Sequence, residues 1–122
     1  IIIMPHIPDK WYAFAVAQTY YEELISAGVQ IYEYTPGFVH AKVFVSDNDT
    51  ATVGTINLDY RSLYHHFECG TFIYNNPVVW EIERDFQNTL KTSQKITMLD
   101  VKERRIGMKM VGSVLRLIAP LM

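Results

Sequence analysis

The chain has 122 residues, of which 49% are apolar, and its net charge is −2. This length suits one small domain, and the weak charge argues against a nucleic-acid-binding surface. The single cysteine, Cys69, excludes an internal disulfide, and its apolar neighbours predict a buried structural thiol. No apolar run approaches the roughly 20 residues that a membrane-spanning helix needs.

The first third of the chain predicts a strand, a helix and a second strand. Residues 1–5 are an apolar run that ends at a proline, and residues 29–34 alternate between apolar and polar side chains. Between them, about 10–27 is predicted as a helix that Gly28 terminates. Four apolar residues fall at helical spacing within it: Phe14, Ala17, Tyr21 and Leu24.

The rest of the chain predicts a hairpin, another strand and two helices. Residues 38–46 and 51–56 are rich in β-branched and aromatic residues, and a polar turn separates them. A further strand is predicted over 67–74. Helices follow over about 77–91, which a proline opens, and over about 98–118. Strands and helices mixed in this order predict an α/β layered fold.

Polar residues that could take part in catalysis lie on the predicted hairpin. His40 and Lys42 are two apart on the first strand, so their side chains share a face and lie about 6–7 Å apart. The second strand returns Thr55 and Asn57 toward this pair. The whole string reads H-x-K-x4-D-x6-G-T-x-N, from His40 through Asp47 and Gly54 to Asn57.

These residue types fit phosphoryl chemistry. An imidazole serves as a nucleophile or a general acid and base near neutral pH. An ammonium group and amide N–H donors hold phosphate oxygens and stabilise the charge that develops on them. Lysine is not a metal ligand, so the set predicts a reaction without a metal or cofactor. H-x-K alone is a weak signal, whereas the full spaced string is a much stronger one.

The string resembles the HKD signature of the phospholipase D superfamily. Its continuation from Gly54 to Leu63, followed by Phe67-Glu68, is similar to bacterial cardiolipin synthases in particular, and so are the stretches 27–34 and 116–122. The resemblance covers essentially the whole chain. Thr55 stands where serine is common in the wider superfamily, and it keeps the hydroxyl.

The resemblance implies a phospholipase D-like mixed β-sheet flanked by helices. Residues 1–122 would form the C-terminal portion of such a catalytic domain, with one HKD motif at 40–57 and C-terminal helices at about 77–118. The abrupt apolar start also predicts a piece of a longer protein. The other HKD half and the membrane helices would lie outside it, so the whole enzyme would sit in the bacterial cytoplasmic membrane and this segment would be soluble.

The resemblance also implies roles for individual residues. His40, Lys42, Asn57 and Glu68 would be catalytic, and Glu68 would accept a hydrogen bond from the motif histidine. A carboxylate placed in this way fixes the tautomer of the ring. Three groups besides His40 would bind the phosphate of the substrate: Lys42, Thr55 and Asn57. Two further residues of the motif are expected to be structural, namely Asp47 and Gly54.

The leading hypothesis is a phosphatidyltransferase that makes cardiolipin from two molecules of phosphatidylglycerol through a phosphohistidine intermediate. Its partners would be anionic phospholipid, a membrane surface and the missing HKD half, without nucleic acid. One motif supplies one of two histidines, so the segment is expected to be inactive alone. The alternatives are a homodimeric phosphodiesterase or nuclease with one motif per chain, and a non-catalytic binding domain. His65 and His66 form no metal site by this interpretation, because neighbouring residues face different ways.

Overall fold

The computed structural model describes residues 1–103 and 106–121; the side chains of 106–109 and 121 are outside this description. The chain divides into two compact units, although its length alone predicts one. The first unit comprises Ile1–Val39 and Thr92–Met122, and the second comprises His40–Lys91. Within the described residues, no helix has both the length and the apolar character that crossing a bilayer requires.

The first unit contains a three-stranded mixed sheet. Strand β1 (Ile2–Pro5) pairs in parallel with β2 (Ile31–Tyr34), and β2 pairs antiparallel with a later strand, Ser93–Ile96. The parallel pair requires a crossover, which helices α1 (Trp11–Thr19) and α2 (Tyr21–Ser26) provide. The strand at 93–96 was not predicted, because its four mostly polar residues carry too short a pattern to recognise.

The helix predicted over about 10–27 is two helices that meet at Tyr20. The hydroxyl of Thr19 donates to the carbonyl of Val16 at 2.6 Å, and such a bond back to the preceding turn bends a helix. The predicted end at Gly28 is confirmed. Its φ of +91° is a conformation that glycine adopts without steric cost.

The predicted C-terminal helix is also interrupted. Helix α4 spans Met98–Glu103 and α5 spans Ile106–Arg116, and a short 3-10 turn follows at Ala119–Leu121. The junction at 104–105 lies outside the described residues.

The core of the first unit lies between its sheet and helices α2 and α4. Four residues that are at most 5% exposed form it: Tyr21, Ile31, Ile96 and Val101. Glu33 is also buried, at 4% exposure. It accepts hydrogen bonds from the Tyr21 hydroxyl at 3.3 Å and from His6 Nδ1 at 2.9 Å, so polar partners compensate the burial of this carboxylate.

The second unit is an antiparallel sheet with a helix against it. Strands β3 (Val43–Ser46), β4 (Thr50–Gly54) and β5 (Gly70–Tyr74) pair in that order. Helix α3 (Val78–Lys91) contacts β3 and β4 and is capped by Asn76, whose Oδ1 accepts the Val78 N–H at 3.0 Å. The predicted hairpin, third strand and helix are therefore confirmed, with shorter strands than expected.

The two units together confirm the predicted mixed α/β architecture. The prediction of a buried thiol at Cys69 is wrong, because Cys69 is exposed. The strand begins only at Gly70, so the preceding apolar residues Phe67 and Cys69 lie ahead of the sheet and outside the core.

Candidate functional site

The register of the second unit places the motif at one end of its sheet. Gly54 pairs with Gly70 across β4 and β5, and its N–H donates to the carbonyl of Lys42 at 3.1 Å. His40 and Thr55 both lie just beyond this row, at the end opposite the hairpin turn. The fold therefore gathers the start of β3, the end of β4 and the approach to β5 in one place.

His40 and Lys42 precede β3 rather than lying within it. His40 is exposed and Lys42 is half-buried. The ammonium of Lys42 donates to the backbone carbonyl of His40 at 2.8 Å. An ammonium carries three donors, so this contact fixes the lysine beside His40 and uses one of them.

Thr55 and Glu68 are brought together by an extension of the β4–β5 ladder. The Thr55 N–H donates to the Cys69 carbonyl at 2.9 Å, and the Cys69 N–H donates to Thr55 Oγ1 at 3.1 Å. The hydroxyl of Thr55 in turn donates to Oε2 of Glu68. Because a threonine hydroxyl has a single proton, this contact directs Thr55 toward the carboxylate.

The surroundings of Glu68 favour its ionised form. The hydrogen bond from Thr55 is the largest cause that lowers the pKa of Glu68, and a hydrogen bond from Ser62 is the second. Electrostatic interactions with His66 and Lys42 act in the same direction, whereas desolvation opposes them. Lys42 and Glu68 are therefore close enough to interact electrostatically.

Asn57 is held by a turn that the sequence did not predict in detail. Residues Arg61–His65 form a π-helical turn, closed by the bond from the His66 N–H to the Arg61 carbonyl at 2.9 Å. Within it, Ser62 is buried, and its Oγ accepts Asn57 Nδ2 at 3.3 Å. π-helical turns occur frequently at functional sites.

The two motif residues expected to be structural lie at positions with unusual backbone geometry. Asp47 is in the hairpin turn with a φ of +53°, and its carboxylate accepts the Ser46 hydroxyl at 3.0 Å. Aspartate tolerates this left-handed conformation better than most residues. At Gly54, a Cβ would lie 2.4 Å from the Cys69 carbonyl oxygen, so the close strand pairing admits only glycine.

The hydrogen bond expected between His40 and Glu68 stays a prediction. The hydrogen bond to Glu68 described above comes from the hydroxyl of Thr55. His66, for which the sequence predicted no metal site, accepts a hydrogen bond at Nε2 from Nε of Arg61.

The arrangement provides the elements of proton transfer and anion binding at one exposed end of a sheet. His40 supplies an accessible imidazole, and Lys42 and Asn57 supply N–H donors. Glu68 supplies a carboxylate whose ionised form is stabilised.

Sequence reasoning missed Ser62. Asp59, three residues earlier, was a usable signal, because an aspartate in this position caps a helical turn.

Comparison with known proteins identifies the family of this chain. The family described as "Cardiolipin synthase, PLD-like domain" matches residues 1–90, which include every candidate site residue. An uncharacterized protein of Streptococcus mutans serotype c is 54% identical over 99% of this chain. Cardiolipin synthase 2 of Bacillus anthracis is 39% identical, and the cardiolipin synthase of Clostridium perfringens strain SM101 is 40% identical, each over 99% of this chain.

The chain spans about a quarter of the length of these relatives, namely 26%, 24% and 25% in the same order. No solved structure matches it. The family match covers well over half of the chain and includes the second unit up to residue 90. The chain therefore belongs to the cardiolipin synthase family of phospholipase D-like domains.

Proposed function

We propose that this chain supplies one of the two HKD half-sites of a phosphatidyltransferase that makes cardiolipin from two molecules of phosphatidylglycerol. The observation that carries the proposal is the 39% identity to a cardiolipin synthase over 99% of the chain, a span that includes the whole H-x-K-x4-D-x6-G-T-x-N string. The exposure of His40 supports it, because a lipid headgroup must reach the imidazole.

In the first step, the imidazole of one motif histidine attacks the phosphorus of phosphatidylglycerol. A P–N bond forms, the P–O bond to the headgroup glycerol breaks, and the other motif histidine protonates the departing oxygen. In the second step, that histidine removes a proton from a hydroxyl of a second phosphatidylglycerol. The oxygen of this hydroxyl attacks the phosphorus, and the P–N bond breaks. Two phosphatidylglycerol molecules thus give one cardiolipin and one glycerol. His40 takes one of these two roles.

Lys42 and Asn57 would hold the non-bridging phosphate oxygens. Lys42 uses one of its three donors on the His40 carbonyl, and Asn57 uses one of its two amide donors on Ser62. Donors that neighbouring groups already orient stabilise developing negative charge without reorganisation. Thr55 gives its proton to Glu68, so we assign it to positioning that carboxylate rather than to direct phosphate binding.

Glu68 would act on the motif histidine as an ionised carboxylate. A carboxylate that accepts one ring N–H holds the imidazole in the tautomer whose other nitrogen takes part in the reaction. The hydrogen bond from Thr55 and the other interactions that lower the pKa of Glu68 favour the form that this role needs.

The proposal is tested by product analysis. The complete protein that carries this chain, incubated with phosphatidylglycerol vesicles, is expected to yield cardiolipin and glycerol in equal amounts. The 122-residue chain alone is expected to yield neither, because one motif brings one histidine to the phosphate. Cleavage of DNA or of a simple phosphodiester by the isolated chain as a dimer, without cardiolipin from the complete protein, would instead establish a one-motif phosphodiesterase.

A further inference from the structure

Ser62 is a buried polar residue at the centre of the candidate site. It is 8% exposed, whereas Asn57 is exposed and Glu68 is half-buried. Buried hydroxyls are nearly always hydrogen-bonded, and the partner of this one, Asn57, is a residue of the candidate site, which also includes Glu68. Ser62 therefore lies behind them rather than at the surface where a substrate would arrive.

The contacts of Ser62 have a fixed direction. A serine hydroxyl has one proton and two lone pairs. Toward Asn57 the hydroxyl oxygen accepts, with Nδ2 of Asn57 at 3.3 Å. The side chain of Ser62 is also one of the groups that lower the pKa of the Glu68 carboxyl.

This direction determines what Asn57 presents to a ligand. If the carboxamide were reversed, an amide oxygen would face the site in place of an N–H. An oxygen there would repel a phosphate. With Nδ2 on Ser62, the second N–H of the same nitrogen remains for an anionic oxygen.

Ser62 is itself fixed by the π-helical turn. Its backbone N–H donates to Oδ1 of Asp59 at 2.7 Å, and the Leu63 N–H donates to the Asp59 carbonyl at 3.0 Å. Asp59 therefore anchors the first turn through both its side chain and its backbone. The hydroxyl of Ser62 is held in place before any substrate binds.

We infer that Ser62 is a positioning residue, which orients the Asn57 amide so that its second N–H faces the phosphate. The inference rests on the proposed function, since it names what Asn57 is positioned for. Ser62 contacts neither the substrate nor the reacting atoms.

The test compares Ser62→Ala, Ser62→Thr and Ser46→Ala in the complete protein with phosphatidylglycerol vesicles. Ser62→Ala is expected to lower kcat roughly tenfold to a hundredfold, the range for a misplaced catalytic group, with little change in KM. The acid limb of its pH profile is expected to move to higher pH, because the pKa of Glu68 rises. Ser62→Thr, which keeps the hydroxyl, should restore the limb. Ser46→Ala, an exposed serine at the far end of the hairpin, should match the wild type.

A second measurement does not depend on turnover. The carboxyl carbon of Glu68, followed by 13C NMR during a pH titration, should titrate at higher pH in Ser62→Ala than in the wild type or Ser46→Ala. A Ser62→Ala protein that keeps the wild-type kcat would overturn the inference. Absence of cardiolipin from the wild type would count against the proposed function, whereas normal cardiolipin formation by Ser62→Ala beside an active wild type would count against the inference alone.

Discussion

Replacing Gly54 with alanine tests how tightly the strands that carry the site are paired. A Cβ at this position would lie 2.4 Å from the Cys69 carbonyl oxygen and 2.6 Å from Gly70 Cα. Ordinary contact begins at 3.4 Å, so β4 and the approach to β5 would have to separate by about 1 Å, the kind of backbone shift that overpacking forces. Both neighbours are backbone atoms, which no side-chain rotation relieves.

Two effects oppose each other in this variant. Alanine loses less conformational freedom than glycine on folding, which favours it by about 0.5–1 kcal/mol within a strand. Overpacking costs about 1–3 kcal/mol and occasionally more. The steric cost is the larger, so Gly54→Ala is expected to lower the free energy of unfolding and to lower the Tm by several degrees.

Gly70 provides a matched control, because it is paired directly with Gly54. A Cβ at Gly70 would meet its nearest atom, the Val53 carbonyl oxygen, at 3.7 Å, which is ordinary contact. Gly70→Ala is therefore expected to keep or slightly raise the Tm in thermal unfolding followed by circular dichroism. A Gly54→Ala variant as stable as the wild type, or an equal loss in both variants, would refute the steric reasoning.

Three further predictions concern the site and the first unit. Thr55→Val removes the largest cause that lowers the pKa of Glu68. As the pH falls, activity that needs the ionised carboxylate would then be lost at a higher pH than in the wild type. A pH-rate profile measures this shift, with Thr71→Val at an exposed position as the control. Gly112→Ala places a Cβ 2.8 Å from the Ala15 carbonyl oxygen. It is expected to cost about 1–3 kcal/mol in denaturant unfolding, whereas Gly37→Ala, with open space around it, should cost little. Ile31→Ala, at a core position that is 1% exposed, is expected to cost about 2–5 kcal/mol, against less than about 0.5 kcal/mol for the exposed Leu99→Ala.

Local patterns in the sequence were sufficient for the elements that hold the motif. The hairpin was predictable because β-branched runs flank a turn of aspartate and asparagine residues, and Asp47 and Asn48 adopt positive φ there. Helix α3 was predictable because Asn76 and Pro77 form a helix start. In each case the determining interactions join residues close together in the chain.

Features that depend on distant contacts were not predictable. The exposure of Cys69 follows from where β5 begins, which its pairing with β4 determines. The role inferred for Ser62 follows from the π-helical turn, which places its hydroxyl against Asn57. No periodicity marks such a residue. Asp59 marks the start of the turn that contains Ser62, but the serine itself, between an arginine and a leucine, carries no functional signal in the sequence.

The most direct test of the central claim is His40→Ala in the complete protein, with cardiolipin formation from phosphatidylglycerol measured beside the wild type and His65→Ala. His65 is an exposed histidine in the same unit without a role in the proposed reaction. Loss of a histidine that transfers protons or attacks phosphorus is expected to reduce the rate at least about a hundredfold, while His65→Ala keeps nearly the full rate. A His40→Ala protein that makes cardiolipin at close to the wild-type rate would contradict the account.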